Sequence, residues 1–428
     1  MNENKSLPLV AKITVAVFAL VTLVTSCDLL SSDDDREVSA EGGVGGDTAN
    51  PSNAGVSSRF VESFVHDGTS ARSLGTSWQV FTESADATID AAAGWGEAIA
   101  YGAGVYVIVG GSATSPQGDF GTIYYSENAV NWTNATPSLN SQFNDIVWTG
   151  ERFIAVGLDG IVAESTDGRS WQSYWIAGFP TFEVNLKSIA VSPDHIVVGA
   201  FGGLVYDRAR TSTGAWSATR FEHPGTRNLI GPSFQEVAWD GWEFLLGGHH
   251  SLGTPVPVLW WSRSGVRTDW FIVEFLEGSF WQPPVGLDAR RSIVSLARFG
   301  SDENGVTVAS LDGGAVGQSF ATNKGVYYSD DWGGTWDRIT GIDGSTLVFD
   351  AIAPGPGRVV AASDAGTLYY SDDGRSWTAV AAPADTGDAS LPLRDLIYAP
   401  DTVNANEFLF IGFKRGFRPE IWISAITS

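Results

Sequence analysis

The chain has 428 residues, of which 43% are hydrophobic and 17% charged, with 50 Gly and 17 Trp. That is too apolar for a disordered chain, and too rich in Gly and Trp for a helical bundle. Asp plus Glu is 49 against 25 Lys plus Arg, and the net charge of −24 excludes nucleic acid as an expected partner; the single Cys excludes a disulfide framework and a thiolate metal cluster.

Taken in chain order, the first segment reads as an address. Lys5 and Lys12 precede an apolar run, Ile13 to Val24, that is too short to span a bilayer as a stable helix. The run ends in Leu23-Val24-Thr25-Ser26-Cys27, which resembles the bacterial lipobox. The resemblance implies a signal peptide over 1–26 and acylation of Cys27, with palmitate among the chains attached. More than one acyl chain is enough for stable membrane attachment, so the expected location is the bacterial cell envelope, lipid-anchored and extracytoplasmic. Removal of 1–26, which carries Lys5, Lys12 and Glu3, leaves −25. Residues 27–75 are rich in Ser, Asp, Gly, Ala and Asn, including Asp33-Asp34-Asp35 and Gly42-Gly43-Val44-Gly45-Gly46. They read as an acidic flexible tether, reaching about 5–6 Å × √n for n residues.

From residue 76 to 428 one unit recurs, and seven copies are expected. Each has an apolar strand that typically closes in Gly, such as Tyr106-Val107-Ile108-Val109-Gly110 or Phe153-Ile154-Ala155-Val156-Gly157. A shorter strand precedes it (Ile99-Ala100-Tyr101, Leu396-Ile397-Tyr398), and a third follows, such as Ile123-Tyr124-Tyr125-Ser126 or Leu368-Tyr369-Tyr370-Ser371. A turn then leads to a Trp that opens a fourth strand. Short β-rich runs at this spacing, punctuated by Gly, describe four-stranded antiparallel blades and an all-β fold.

The turn is the distinctive element. Ser329-Asp330-Asp331-Trp332-Gly333-Gly334-Thr335-Trp336 matches Ser-x-Asp-x-Gly-x-Thr-Trp in full. Shorter versions are Ser165-Thr166-Asp167-Gly168-Arg169-Ser170-Trp171 and Ser371-Asp372-Asp373-Gly374-Arg375-Ser376-Trp377. Ser126 to Trp132, with Asn128 in the Asp slot, Ser262 to Trp270, and Tyr206 to Trp216 are degenerate copies. The Asp accepts backbone N–H bonds within the turn, the Gly takes a positive φ, and the Trp fills space between blades, so these residues read as a folding device. One Asp per hairpin assembles no ligand shell, so neither metal nor cofactor is expected.

On these motifs the chain resembles the Asp-box, or BNR-like, propellers, especially the photosystem II assembly-factor type and the sialidase type. The resemblance implies a seven-bladed β-propeller. The last unit ends without an outer strand, while Ser77-Trp78-Gln79-Val80-Phe81 is an orphan outer strand that would complete it and leave no free sheet edge.

In such a ring the Ser-to-Trp turns share one end, and the longest connections fall at the other. That end is expected to collect Arg227, Arg290, Arg291, Lys187, Lys324, Lys414, Arg415 and Arg418 with His249, His250, Trp175 and Trp281, a basic and aromatic face suited to a protein or glycan ligand. The alternative is a sialidase-like glycoside hydrolase acting on envelope or extracellular glycans. Its Arg-Ile-Pro motif near the domain start has no counterpart, since Ser77 to Gly94 contains no Arg. No catalytic residues are assigned, and the expected role is that of a monomeric binding or assembly scaffold.

Overall fold

The computed structural model describes residues 79–81, 95–112, 120–129, 131–135, 141–176, 184–221, 231–250, 256–272, 276–277, 280–281, 292–299, 305–312, 325–331, 333–340, 342, 347–355, 357–380, 393–401, 407–414 and 421–425. The segments read as signal peptide and tether, including Cys27, lie outside the described residues.

Six four-stranded antiparallel sheets are each built from consecutive strands. Their first strands are Trp95–Gly102, Phe143–Trp148, Leu186–Val191, Ser233–Trp239, Ser292–Phe299 and Phe349–Gly355. One further sheet is composite. Leu393–Asp401, Glu407–Lys414 and Ile421–Ala425 are consecutive, and the fourth position is taken by Gln79–Phe81. That strand pairs with the chain's last described strand in the register Gln79↔Ile423, Val80↔Trp422 and Phe81↔Ile421. Among the described residues six sheets draw all four strands from one unit, and only the composite sheet takes its fourth strand from the front of the domain. A small hairpin, Leu276–Glu277 with Phe280–Trp281, is inserted between the fourth and fifth sheets. It carries Trp281, which the sequence placed in a connecting loop.

The first strand of each sheet is the innermost. Each touches the first strands of the sheets before and after it, and Trp95–Gly102 touches Leu393–Asp401. A hydrophobic cluster fills every gap between neighbouring sheets, including that between the last sheet and the first, where Ala399 packs with Ile99, Tyr106 and Trp132. The strand period of two explains the continuous apolar runs. Ile99 faces one gap while Ala98 and Ala100 face the other, and both gaps are dry, so Phe153–Gly157 is buried at every residue.

The Ser-to-Trp turns share one hydrogen-bonding scheme. Asp167 Oδ1 accepts from Ser165 Oγ at 2.9 Å and from the N–H groups of Arg169 and Ser170 at 2.8 and 2.7 Å, and the Trp171 indole N–H donates to Gly168 O at 3.0 Å. Asp331 and Asp373 repeat it with Ser329, Trp336, Ser371 and Trp377. Burial acts to raise these three carboxyls, but the backbone and serine donors more than offset it and hold them below the usual Asp range. Gly168, Gly333 and Gly374 sit at φ of 70, 82 and 71°. In the first sheet Ala129 takes that position at φ 61°, which costs on the order of 1–2 kcal/mol, while Asn128 supplies the acceptor through its amide oxygen.

Candidate functional site

Antiparallel order fixes the two ends of the ring. Turns from first to second strand share one end with the Ser-to-Trp turns, and second-to-third turns share the other with the sheet-to-sheet connections. We call these the turn end and the channel end.

Near the channel end, every first strand has an irregularity in its register. It falls between Gly96 and Ala98, Phe143 and Asp145, Leu186 and Ser188, and Phe234 and Glu236, and again between Ile293 and Ser295, Phe349 and Ala351, and Leu393 and Asp395. A bulge adds one residue on one strand and turns its side chain out of the ladder. The added residues are Glu97, Asn144, Lys187, Gln235, Val294, Asp350 and Arg394, one per sheet.

Two of these residues meet. Arg394 Nε donates to Glu97 Oε2 at 2.6 Å, joining the last sheet to the first. The Lys187 ammonium, two sheets away from Glu97, is pushed below the usual Lys range by burial first and by Arg394 second, while Glu97 opposes the shift. The first and third sheets are not neighbours, so this coupling acts across the axis. Burial also works against the Arg394 charge, but Glu97, Asp350 and Asp395 more than offset it. The Arg394 side chain keeps 43% of its surface accessible.

In three sheets the residue after the bulge ties its sheet to the next. Asp145 Oδ2 accepts from Ile189 N at 2.8 Å and Ser188 Oγ at 2.9 Å, Ser188 Oγ accepts from Val237 N at 3.1 Å, and Asp395 Oδ2 accepts from Ile99 N at 3.0 Å. Asn144 Nδ2 donates to Leu186 O at 2.7 Å. The bulge residues are therefore held on a braced wall, and a ligand here meets charges in fixed positions.

Two aromatic side chains stand at the same end. Trp175, the last residue of the outer strand Gln172–Trp175, is 60% exposed, and Phe201, in the turn joining the second and third strands of the third sheet, is 44% exposed. Of the residues expected on this face, His249 is half-buried with Nδ1 2.9 Å from Ser292 Oγ, and burial lowers its pKa. His250 is a correction. Successive residues on Phe244–His250 point to opposite faces, and His250 is buried rather than presented to a ligand. Lys414 closes the strand Glu407–Lys414 opposite Leu393. Arg227, Arg290, Arg291, Lys324, Arg415 and Arg418 lie outside the described residues. Of the expected residues, the structure places Lys187 at a bulge of an innermost strand, the same kind of position as Glu97 and Arg394, which the sequence reading did not single out. A signal was available: each bulge residue lies two positions before the aliphatic residue that opens the packed part of its strand, as Glu97 precedes Ile99 and Arg394 precedes Leu396.

A second group of titratable residues lies at the turn end, between the fourth and fifth sheets. Asp240 Oδ1 accepts from the N–H groups of Trp242 and Glu243, and Arg298 Nε lies 3.6 Å from Asp240 Oδ2. Burial, then the Asp240 charge, raises the Glu243 carboxyl to about 7. A pKa raised above its unfolded value means the folded state binds the extra proton, so this stability is full below about 4.5 and is lost as pH rises through about 7. Urea unfolding between pH 4.5 and 7 should show stability falling with pH in the wild type and a flatter profile in Glu243→Gln; equal slopes would refute the assignment. Among the described residues no group of His, Cys, Asp and Glu is arranged to hold a metal ion.

No family model and no curated protein sequence matches this chain. Solved structures do. "YCF48 bound to D1 peptide" matches with a TM-score of 0.51 at 15% identity, over 82% of this chain and 96% of that one. YCF48 from Cyanidioschyzon merolae matches at 0.51 and 15%, over 81% and 98%. A chain of the mitotic checkpoint complex matches at 0.50 and 12%, over 86% and 100%. The fold is a β-propeller. At these identities the propeller likeness establishes architecture alone. The bulge residues and the exposed aromatics are properties of this propeller's own sequence.

Proposed function

We propose that the chain is a lipid-anchored, extracytoplasmic, seven-bladed propeller of the Asp-box kind that serves as a binding scaffold for a polypeptide partner. The composite sheet closes the ring. Acylated Cys27 holds it at the envelope, and residues 27–75 act as the tether. The partner docks on the channel end. The observation that carries this reading is the placement of Lys187, Glu97 and Arg394 at bulges of innermost strands, with Arg394 and Glu97 paired, on the same end as exposed Trp175 and Phe201. Exposed aromatics and fixed charges on one face are a composition suited to binding a polypeptide. A solved propeller of similar architecture carries a bound peptide, which supports the same use of the scaffold here. Among the bulge residues Arg394 is the one arginine, and Glu97 already engages it, so these positions do not form the trio of arginines that a sialidase-like reaction requires.

The test is a displayed peptide library selected on residues 27–428 bearing Cys27→Ser. Enriched peptides should lose at least about tenfold in affinity for Trp175→Ala and for Lys187→Met. No enrichment, or unchanged affinity for both variants, would refute the docking surface. The anchor is tested separately by feeding labelled palmitate to cells making the full chain. The wild type should be labelled and Cys27→Ser not; equal labelling would remove the anchor.

A further inference from the structure

At the turn end, opposite the channel mouth, the third and fourth sheets enclose a depression of about 470 Å³. That falls within the range of small-ligand sites. One wall is the Ser192–His195 turn of the third sheet. The other is the Gly241–Trp242 turn of the fourth, flanked by Arg263 and Ser264. Trp239, nearly buried and 4.8 Å from Phe244, lies beneath, and Trp242 stands 58% exposed.

The depression coincides with a break in the repeat. Ser264 occupies the slot that Asp167 fills in the second sheet, and the carboxylate comes instead from Asp269, which accepts from Ser264 N at 3.0 Å and Ser264 Oγ at 2.8 Å. In the third sheet the turn is replaced by an extension of Leu204–Ala209, and Arg210 N donates to Asp194 O at 2.8 Å, bracing the opposite wall. Between the second and third sheets Arg152 reaches across to the backbone oxygens of Arg210 and Ser212. Intact turns in the second, fifth and sixth sheets show that the ring requires neither departure. In a repeat protein, departures that the scaffold does not need mark the surface where ligands are read.

The rim chemistry selects the ligand class. The Arg263 guanidinium lies 5.4 Å from the Trp242 ring centroid. Among the described residues neither Arg263 nor Asp194 makes an ion pair, and His195 Nδ1 is buried without a hydrogen-bond partner. An anion would be repelled by Asp194 and a cation by Arg263. An uncharged ring bearing many hydroxyls and one apolar face satisfies both. Its C–H face lies on indole while its hydroxyls donate to Asp194 and accept from Arg263. We propose that this depression is a saccharide-binding site for a neutral hexose or N-acetylhexosamine unit.

Saturation-transfer NMR and tryptophan fluorescence on residues 27–428 bearing Cys27→Ser test it, using maltose, cellobiose, N,N′-diacetylchitobiose and a glucuronate disaccharide as probes. At least one neutral probe should saturate in the roughly millimolar range. Trp242→Ala should weaken it at least about tenfold and Asp194→Asn several-fold, while Trp242→Phe retains binding and Arg375→Ala, on the sixth sheet, leaves it unchanged. No saturable neutral probe, binding of the glucuronate alone, or wild-type affinity in Trp242→Ala would each overturn the site.

Discussion

Arg208→Met should destabilise the folded ring by roughly 3–5 kcal/mol, the penalty for removing one partner of a buried charge network. Arg208 Nη2 donates to Glu164 Oε1 at 2.9 Å, Nη1 donates to the Tyr174 hydroxyl at 3.1 Å, and the guanidinium lies 4.3 Å from the Trp216 ring centroid. Glu164 is held by Arg152 at 3.0 Å as well, and the Tyr174 hydroxyl donates to Glu164 Oε1 at 2.6 Å. Burial, then that bond to Glu164, raises the tyrosine pKa, so the hydroxyl stays a donor through neutral pH. The network joins the second and third sheets where the third has lost its Ser-to-Trp turn, and Trp216 accordingly donates its indole N–H to Tyr174 at 3.0 Å. Methionine preserves the length of the stem but leaves Glu164 short of a cation. Urea unfolding of Arg208→Met, Glu164→Gln and the double variant would check this. The double should cost less than the sum of the singles, and additive losses would show that the groups are not coupled.

Trp336→Ala should cost about 3–5 kcal/mol, the range for emptying a buried Trp site. Trp336 belongs to the fifth sheet yet packs among Leu245 and Leu259 of the fourth and Ile293, Leu296 and Leu311 of its own. Its indole N–H also ties the turn together at Gly333 O, 3.0 Å away. Trp336→Phe should recover most of the packing and lose only the hydrogen bond, so its loss should be nearer 1–2 kcal/mol. Thermal unfolding of the two variants separates the terms; equal midpoints for Ala and Phe would mean that the turn, not the filled gap, carries the stability.

The fold was legible because its determinants recur. The apolar strands, their Gly endings and the Ser, Asp, Gly and Trp positions repeat along the chain, and each repeat independently implies the same hairpin. The pairing of Gln79–Phe81 with Ile421–Ala425 was legible for the complementary reason: an outer strand without a unit and a unit without an outer strand. The candidate site was not. The offset from the opening aliphatic residue locates the bulge positions, but Glu97, Lys187, Val294 and Arg394 differ in charge and polarity, so nothing in the repeat marks them as a site. Conversely, His249 and His250 stand out as neighbouring letters, yet the strand period sends them to opposite environments. The rewired turn at Ser264 and Asp269 is visible as degeneracy, but only the folded structure shows that Asp269 restores the bonds and that a depression lies beside the turn.

The bulge in every first strand separates what holds the molecule together from what faces a visitor. In three sheets the next residue along takes the fastening duty, as Asp145, Ser188 and Asp395 do. Around the innermost strands the protein thus repeats one backbone feature while the side chain on it changes from Glu97 to Val294 to Arg394, so a different specificity can be carried by the same frame of sheets.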